Sequence, residues 1–523
     1  MPALAPAAFL AVFVVWPLVA VVRRTLGGVG PGRVAEILGR SSVHSVIGFT
    51  VVQAVLSTVL TLAIGLVVAH VLARYRFPGR RVVRAAVVVP FVLPTVVVAT
   101  AFVALFERVG VVSPRSLTAI VSAHVFFNVA VVVRVVGGFW AAADRRVEES
   151  ARVLGASRLR AFTSVTLPTL APVIIGSAML VFLFSFTSFG VIQILGGPGR
   201  ATLETEIYRY AIRRTEFDVA AVLAALQLLV VAGLAVASAW FQRRLSRARR
   251  GRSRPLAVPV ATWGQRLHVA AALGLAAVVI AGPVAVLVEG SLSTGDGYGL
   301  ANYERLFTAG DLLPVPAIDA IVTSLWFAVV AAGVAVAIGL SAAAAVAAGG
   351  RIGRALEAAT LIPLGVSAVT LGFGYLVGFV VFDLRRSVWL VPLSHAVIGL
   401  PFVLAAVVPA LRAIDPRVRE AAATLGAGPA AVRLLVDWPL IRRAAASGAG
   451  FAAAVSIGEF GATSFLARGD DSFTAPLAIA RLVSQPGVAL RGQALALSVV
   501  VGALVAANAA IIEWRRGDEV TLL

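Results

Sequence analysis

Long apolar segments separated by short polar loops dominate this chain. Each reaches roughly the 20 residues that a helix needs to cross a hydrocarbon core about 30 Å thick. Hydrophobic residues make up 60% of the 523 residues and charged residues 13%, against about 45–50% and about 25% in soluble domains. The segments lack the strict alternation of a membrane β-barrel, so helices must satisfy their backbone groups. We predict an all-α integral membrane protein with about twelve transmembrane helices, near residues 5–22, 45–73, 82–106, 118–141, 170–195, 219–241, 267–288, 318–348, 356–381, 389–411, 444–466 and 493–514.

The basic residues, all of them arginines, lie mainly in every second loop. Positively charged loops stay on the cytoplasmic side of a membrane. We therefore expect a multi-pass protein of the cell (cytoplasmic) membrane with both termini in the cytoplasm, although the first outer loop also carries arginines. The lipid bilayer accounts for the net charge of +20, and no nucleic-acid partner is expected. The main clusters follow spans 2, 4, 6 and 10, at residues 74–84, 145–160, 243–254 and 412–443.

A polar segment occurs twice in the chain. Residues 149–168 read ESARVLGASRLRAFTSVTLP, and residues 420–439 read EAAATLGAGPAAVRLLVDWP. One constant interval, which we call the repeat offset, separates Glu149 from Glu420 and Pro168 from Pro439, and it also relates His124 to His395 and Phe189-Gly190 to Phe460-Gly461. Each half has six spans, an even number, so we predict two parallel six-helix repeats. The expected divisions are a first domain at 1–241, a basic cytoplasmic linker at 242–266 and a second domain at 267–523.

Each copy of the repeated segment has the pattern of a short helix, a glycine turn and a second amphipathic stretch. Glu149 and Glu420 fall in a first turn, where the helix dipole favours an anion. Gly155 and Gly426 permit a left-handed turn. One reading is a solvated loop that obeys the charge rule, and the other is a docking element on the cytoplasmic face. Two copies with the same internal spacing favour docking.

The repeated segment resembles the signature loop (the EAA motif) of ABC importer permeases. That family's pattern is Glu-Ala-Ala, three residues, Gly, and later an apolar residue, x, Leu and Pro; here Ser150 and Trp438 depart from it. The resemblance covers nearly the whole chain and implies a type I importer permease fold. It also implies that two copies of an ABC ATPase subunit dock on these loops and hydrolyse ATP. The coupling residues it implies are Glu149, Ala151, Gly155, Leu167 and Pro168 in the first loop, and Glu420, Ala422, Gly426 and Pro439 in the second.

The absence of lysine and cysteine limits what chemistry the chain performs. A P-loop needs a lysine to bind the nucleotide phosphates, so ATP hydrolysis is expected in separate partner subunits rather than here. The chain has no cysteine for disulfide or thiol chemistry. We expect a transport subunit and not an enzyme, with no catalytic residue, no metal site and no cofactor bound by this chain.

A few polar residues lie inside the predicted spans. Glu459 is expected deep in span 11, where a carboxylate lines a cavity or makes an interhelical hydrogen bond, and the sequence leaves both open. Its equivalent in the first half is Ser188. We name Ser185, Thr187, Ser188 and Glu459 as candidate residues of a translocation path. Pro90, Pro94 and Pro363 indicate kinked spans.

The resemblance is strongest to the ferric-iron and thiamine branch of these permeases. Gly458 to Leu466 occurs in permeases of that branch, as do Thr202-Leu203-Glu204 and Ile207-Tyr208. It implies a permease for a small solute, thiamine or ferric iron, delivered by an extracytoplasmic solute-binding protein that docks on the outer loops 196–218 and 467–492. The alternative is an ion-coupled secondary transporter, which would leave the repeated loop unexplained.

Overall fold

The fold is described from a computed structural model. Part of the predicted basic linker, residues 246–256, lies outside the described residues. The described chain is almost entirely helical, apart from two short paired strands. The residues described are 3–197, 199–245, 257–295, 297–308, 310–382 and 387–516.

The described residues of the first half form thirteen α-helices, and short π-helical turns follow several of them. The π-helical turns are Ala11–Val15, Arg24–Val29, Phe162–Thr166 and Arg209–Arg213. The α-helices are α1 (Leu4–Leu10), α2 (Trp16–Arg23), α3 (Pro31–Leu38), α4 (Ser41–Arg74), α5 (Arg80–Val92), α6 (Thr95–Val109), α7 (Leu117–Ala142), α8 (Arg145–Val153), α9 (Arg158–Ala161), α10 (Leu167–Phe186), α11 (Gly190–Leu195), α12 (Leu203–Tyr208) and α13 (Phe217–Leu245).

In the part of the second half that the structure describes, twelve α-helices follow in a matching order. A π-helical turn lies at Arg433–Asp437, and 3₁₀ turns lie at Arg305–Phe307, Phe379–Phe382 and Asp470–Ser472. Strands β1 (Tyr75–Arg76) and β2 (Val258–Pro259) pair in parallel between the halves. The α-helices are α14 (Trp263–Leu292), α15 (Ala301–Glu304), α16 (Ala317–Ala348), α17 (Gly350–Gly365), α18 (Ala368–Gly378), α19 (Leu390–Arg412), α20 (Pro416–Thr424), α21 (Pro429–Val432), α22 (Trp438–Gly458), α23 (Thr463–Leu466), α24 (Ala475–Val483) and α25 (Val488–Arg516).

The predicted membrane spans reappear as long helices, but two of them are broken. Within the described residues, nine helical runs are long and apolar enough to cross a bilayer. Two more helix pairs are apolar enough together but are bent, by 103° between α5 and α6 and by 99° between α17 and α18, which is the shape of a broken span or a re-entrant loop. The bend at Leu93-Pro94 has a direct cause, because proline cannot donate a backbone hydrogen bond and restricts the residue before it. The kinks that the prolines indicate are thus present. Each is a sharp bend between two separate helices and not a kink within one helix.

The helix α22 takes the place of the predicted eleventh span. It is less apolar than the other spans because it carries Arg442, Arg443 and many alanine, glycine and serine residues. With the nine long runs and the two bent pairs, it completes the order of segments that the sequence predicted. The fold class is the predicted all-α, multi-pass membrane protein.

The helix boundaries repeat with the offset found in the sequence. Helices α8 and α20 begin at 145 and 416 and end at 153 and 424, so the repeat offset relates both ends. Helices α13 and α25 begin at 217 and 488, again separated by the repeat offset. Segments separated by the repeat offset therefore form helices with the same boundaries, and this includes the helices that lie between the spans.

The first helix of each half packs against the broken span of the other half. Helix α2 lies against α18, and α14 lies against α6. The Trp16 indole Nε1 donates a hydrogen bond to the Gly378 carbonyl at 3.0 Å, and the Tyr375 hydroxyl donates to the Phe13 carbonyl at 2.7 Å. Each half thereby supplies a helix to the packing of the other.

Small residues allow the long helices of each half to approach closely. A Cβ added at Gly65 in α4 would lie 2.7 Å from Val132 Cβ in α7. The matching contact in the second half is between Gly339 in α16 and Val403 in α19, where an added Cβ would lie 2.7 Å from Val403 Cγ1. Close backbone approach of this kind gives membrane helices their van der Waals packing.

Candidate functional site: two matched loops and the axis between the halves

The two copies of the repeated segment fold in the same way. We call residues 144–168 and 415–439 the paired loops. In each, an aspartate caps the first helix: Asp144 Oδ1 accepts from the Arg146 amide at 2.9 Å, and Asp415 Oδ1 accepts from the Arg417 amide at 3.0 Å. Such caps satisfy amides that the helix itself leaves free. These aspartates were not among the predicted residues, although an aspartate just before a helical pattern signals a cap.

The glycines of the paired loops end the first helix in the predicted turn. Gly155 has φ +90° and Gly426 has φ +89°, in the left-handed region that glycine adopts without strain. The Ala156 amide donates to the Ala151 carbonyl at 3.0 Å, and the Ala427 amide donates to the Ala422 carbonyl at 3.0 Å. These six-to-one bonds form the Schellman motif of a helix end.

Large apolar side chains are exposed on the paired loops. Leu154 is 88% exposed and its equivalent, Leu425, 89%. Val153, Leu159, Leu434 and Leu435 are also exposed. Exposed apolar side chains of this kind are typical of surfaces that contact another protein or a membrane. The candidate coupling residues surround it: Glu149 and Glu420 are exposed on α8 and α20, and Leu167, Pro168 and Pro439 begin α10 and α22.

Each loop is tied to the helix that follows it, but with opposite polarity. In the first loop the Thr166 hydroxyl donates to Glu148 Oε2 at 3.0 Å, and the Arg74 guanidinium lies 3.2 Å from the same carboxylate oxygen. In the second loop Arg419 Nε lies 2.7 Å from Asp437 Oδ1. Both ties join residues 18 positions apart. An acid at 148 corresponds to a base at 419, so the loops share a shape and differ in charge.

Helices α10 and α22 connect the paired loops to the centre of the molecule. Each has about twenty residues and therefore spans about 30 Å. Shortly after their ends lie Phe189 and Phe460, which are equivalent residues and stack on each other with ring centroids 5.2 Å apart and planes inclined by 21°. Equivalent residues of two repeats meet only where a pseudo-twofold axis passes. The axis therefore runs between these rings.

The backbone is closely packed around this aromatic pair. A Cβ added at Gly190 would lie 2.3 Å from the Thr95 hydroxyl oxygen, and one added at Gly458 would lie 3.2 Å from Pro94. Both neighbours belong to the bent region of the α5–α6 span. The end of α22 and the start of α11 thus meet the α5–α6 break beside the aromatic pair.

The polar residues proposed for a path in the first half lie beside this region. Ser185 is buried, with its carbonyl accepting from Gln53 Nε2 at 2.9 Å and its hydroxyl from Asn128 Nδ2 at 3.4 Å. The Thr187 hydroxyl donates to the Leu183 carbonyl at 2.9 Å. Ser188 is half-buried and directly precedes Phe189. Ser185 is therefore hydrogen-bonded to side chains of two other helices. Of these residues, Ser188 lies closest along the chain to the stacked Phe189 and Phe460 rings.

Glu459 lies in a hydrogen-bonded network rather than in an open cavity. Its Oε1 accepts from the Ala462 amide at 2.8 Å, and its Oε2 accepts from the Thr463 amide and hydroxyl at 2.9 and 2.6 Å. His395 Nε2 lies 3.2 Å from Oε2, and His395 Nδ1 is bonded to Ser456. Glu459 thus holds the start of α23 against α19 and α22. Of the two readings left open by the sequence, the contacts are those of the interhelical hydrogen bond.

Paired loops on a helical membrane body define a class of proteins: transport permeases built from two repeats. The family described as "Binding-protein-dependent transport system inner membrane component" matches residues 61–251. A sulfate transport system permease protein, CysT of Salmonella typhimurium, is 30% identical over 212 residues, covering 38% of this chain and 76% of the relative. The chain belongs to this family, the permeases of ABC importers.

Two relatives extend over both halves. A probable ABC transporter permease protein, y4fN of Sinorhizobium fredii, is 26% identical over 505 residues, covering 87% of this chain and 85% of the relative. A thiamine transport system permease protein, ThiP of Brucella abortus, is 28% identical over 488 residues, covering 87% of this chain and 86% of the relative. The sequence similarity to these relatives thus extends over nearly the whole chain.

Proposed function

We propose that this chain is the transmembrane permease subunit of an ATP-driven importer, in which both halves together form the path for a small solute. The paired loops carry this proposal. They have the same fold, are related by the repeat offset and expose Leu154 and Leu425 at equivalent positions. Two equal docking surfaces on one chain fit two copies of one partner.

The partner of the paired loops is proposed to be an ABC ATPase subunit in the cytoplasm, with one copy on each loop. The arginine clusters on the loop side support a cytoplasmic location for these loops and for both termini. ATP hydrolysis is assigned to the partner because the chain contains no lysine for a P-loop. The bilayer and an extracytoplasmic solute-binding protein complete the proposed set of partners.

Force from the ATPase subunits is proposed to travel along α10 and α22. Glu149, Ala151 and Gly155 set the shape of one loop, and Glu420, Ala422 and Gly426 that of the other. Leu167-Pro168 and Pro439 begin the helices that reach the axis. Movement of the two loops toward each other would turn these helices and separate the Phe189 and Phe460 rings. The solute path would then open between the halves, as alternating access requires.

The polar residues near the axis have two proposed roles. Ser188 and Thr187, next to Phe189, are proposed to face the solute when the rings separate. Ser185 and Glu459 are proposed to keep the path walls in place, because their polar atoms are bonded to neighbouring helices. A small solute passing here would meet few charges, consistent with selection by the external binding protein.

We propose thiamine or ferric iron as the solute. The relative named for thiamine transport covers 87% of this chain, which supports thiamine. The relative named for sulfate transport covers 38%. Ferric iron rests on the sequence resemblance alone.

Reconstituted vesicles test both the importer and its solute. Vesicles containing the chain, its ATPase and its binding protein should take up labelled thiamine or ferric iron only with ATP, and labelled sulfate should not enter. The double variant Gly155→Pro, Gly426→Pro should abolish uptake, because proline fixes φ near −65° where the loops need about +90°. Undiminished ATP-driven uptake by this variant would remove the basis of the proposal.

A further inference from the structure

A buried carboxyl group joins the two halves at the break of the second broken span. Glu204, on the short helix α12 between two spans of the first half, is fully buried. Its Oε2 accepts a hydrogen bond from the Ser367 hydroxyl of the second half at 2.7 Å. Its Oε1 accepts from the side-chain amide of Gln227 in α13. The carboxyl therefore bridges α12, α13 and the α17–α18 break.

Ser367 is the residue that starts the helix after the break. Its hydroxyl oxygen accepts from the Val369 amide at 3.0 Å and from the Thr370 amide at 3.4 Å, capping α18. The same hydroxyl donates its hydrogen to Glu204. The residue that caps α18 is thus hydrogen-bonded to a carboxyl from the opposite half.

The surroundings of Glu204 favour its neutral form. Its two partners are a hydroxyl and an amide, and no basic side chain among the described residues forms an ion pair with it. An unpaired buried carboxylate is expensive in free energy, so such a group takes up a proton instead. Burial raises the pKa of Glu204 from 4.5 to about 8 and outweighs the hydrogen bonds from Ser367 and Gln227, which lower it.

An acceptor for the proton is available beside the carboxyl group. Gln227 Oε1 is buried and has no hydrogen-bond partner among the described residues. The two orientations of a glutamine amide differ only in which atom is nitrogen and which is oxygen. Turning the Gln227 amide over presents this oxygen to Glu204 Oε1, which then donates its proton.

The charged groups on the neighbouring elements are engaged elsewhere. Glu206, on the same helix, pairs with Arg209, and Asp218 of α13 pairs with Arg24. The Tyr375 hydroxyl of α18 bonds to the Phe13 carbonyl. The remaining titratable side chains on α12, the following π-helical turn and the packed helix α4 are Tyr208, Tyr210, Arg213, His44, His70 and Arg74. Arg74 lies 3.2 Å from the Glu148 carboxylate.

We propose that Glu204 is a positioning residue for the α17–α18 break. As a neutral acid it fixes this break of the second half against the first half and keeps the two halves in contact. Its effect on transport rests on the proposed function, whereas its protonation and its bond to Ser367 do not. Separation of the halves would expose Glu204 to water and release its proton.

The direction of the pH effect follows from the raised pKa. Between pH 4.5 and pH 8 the engaged arrangement holds a proton that an exposed Glu204 has lost. The stability of this arrangement therefore falls as the pH rises through that window and levels off above it. Glu204→Gln keeps a neutral side chain of the same shape at every pH and should remove this contribution.

Infrared spectroscopy of the full chain in lipid nanodiscs tests the protonation directly. We expect the wild type at pH 6 to show a protonated-carboxyl carbonyl band that Glu204→Gln lacks and that titrates away near pH 8. Ser367→Ala should move the midpoint upward, because it removes a donor to the carboxylate. Glu216→Gln, which alters an exposed acid nearby, should retain the band. Identical carboxyl bands in the wild type and Glu204→Gln at pH 6 would overturn the proposal.

Thermal unfolding supplies a second readout that needs neither solute nor ATPase. The Tm of Glu204→Gln should exceed that of the wild type by a margin that widens by at least about 2 °C from pH 6 to pH 8. Glu216→Gln should show no such widening. A constant margin for Glu204→Gln would contradict the proposal. If uptake fails while the infrared band and the Tm behave as expected, the failure counts only against the importer assignment.

Discussion

Single residues in the paired loops decide the shape of each docking surface. Gly155 and Gly426 reverse the chain at a backbone conformation that costs other L-residues about 1–2 kcal/mol. No atom of the described chain lies within 4 Å of a Cβ added at either position. A side chain there would therefore act through backbone strain alone, with no clash to complicate the result.

We expect Gly155→Ala and Gly426→Ala to loosen the end of α8 and of α20. Strain of about 1.4 kcal/mol would speed hydrogen exchange of the amides at 156 and 427 about tenfold, as measured by exchange with mass or NMR detection. Gly176→Ala is the control, since Gly176 is helical and also has free space around an added Cβ. Exchange unchanged in the loop variants would show that the turn carries no such strain.

At the scale of elements, each loop is held to its following helix by one polar tie. The ties have reversed chemistry, Glu148 with Thr166 and Arg74 in one half and Arg419 with Asp437 in the other. The repeat has kept the spacing and changed the charges. What matters for the fold is that the tie exists, because it fixes the loop relative to the helix that reaches the axis.

Exchanging the charges of the second tie tests this view. Arg419→Asp and Asp437→Arg should each destabilise the chain, and together they should recover a coupling energy of about 1 kcal/mol in a double-mutant cycle of thermal unfolding. The pair Arg412 and Glu357, 3.8 Å apart and half-exposed on both sides, should give a coupling near zero. Equal couplings for the two pairs would show that the tie is an ordinary surface contact.

The sequence predicted the order of spans, the repeat offset and the glycine turns, because apolar length and local spacing encode them. It did not predict the bends of 103° and 99°, although the prolines marked their position. The cap role of Glu459, the reversed ties and the bond from Glu204 to Ser367 were also missed. These contacts depend on which helices meet in space, and Glu204 and Ser367 are 163 residues apart.

For the whole molecule, the proposed mechanism depends on two equal surfaces acting on one axis. The paired loops begin the helices that end near the stacked Phe189 and Phe460 rings. Each half also supplies its first helix to the other half's broken span. Movement of one loop alone would therefore distort packing in both halves, and paired movement is the arrangement that the connections favour.

Retention of a nucleotide-hydrolysing partner during purification tests the central claim most directly. The wild type should retain two copies of an ATPase subunit per chain, and the double variant Leu154→Arg, Leu425→Arg should retain none, because arginine disrupts the exposed apolar cluster. Val111→Arg, at an 82% exposed valine outside the paired loops, should retain the partner as the wild type does. Full retention by the double variant, or purification of the wild type without any ATPase, would contradict the proposed coupling through the paired loops.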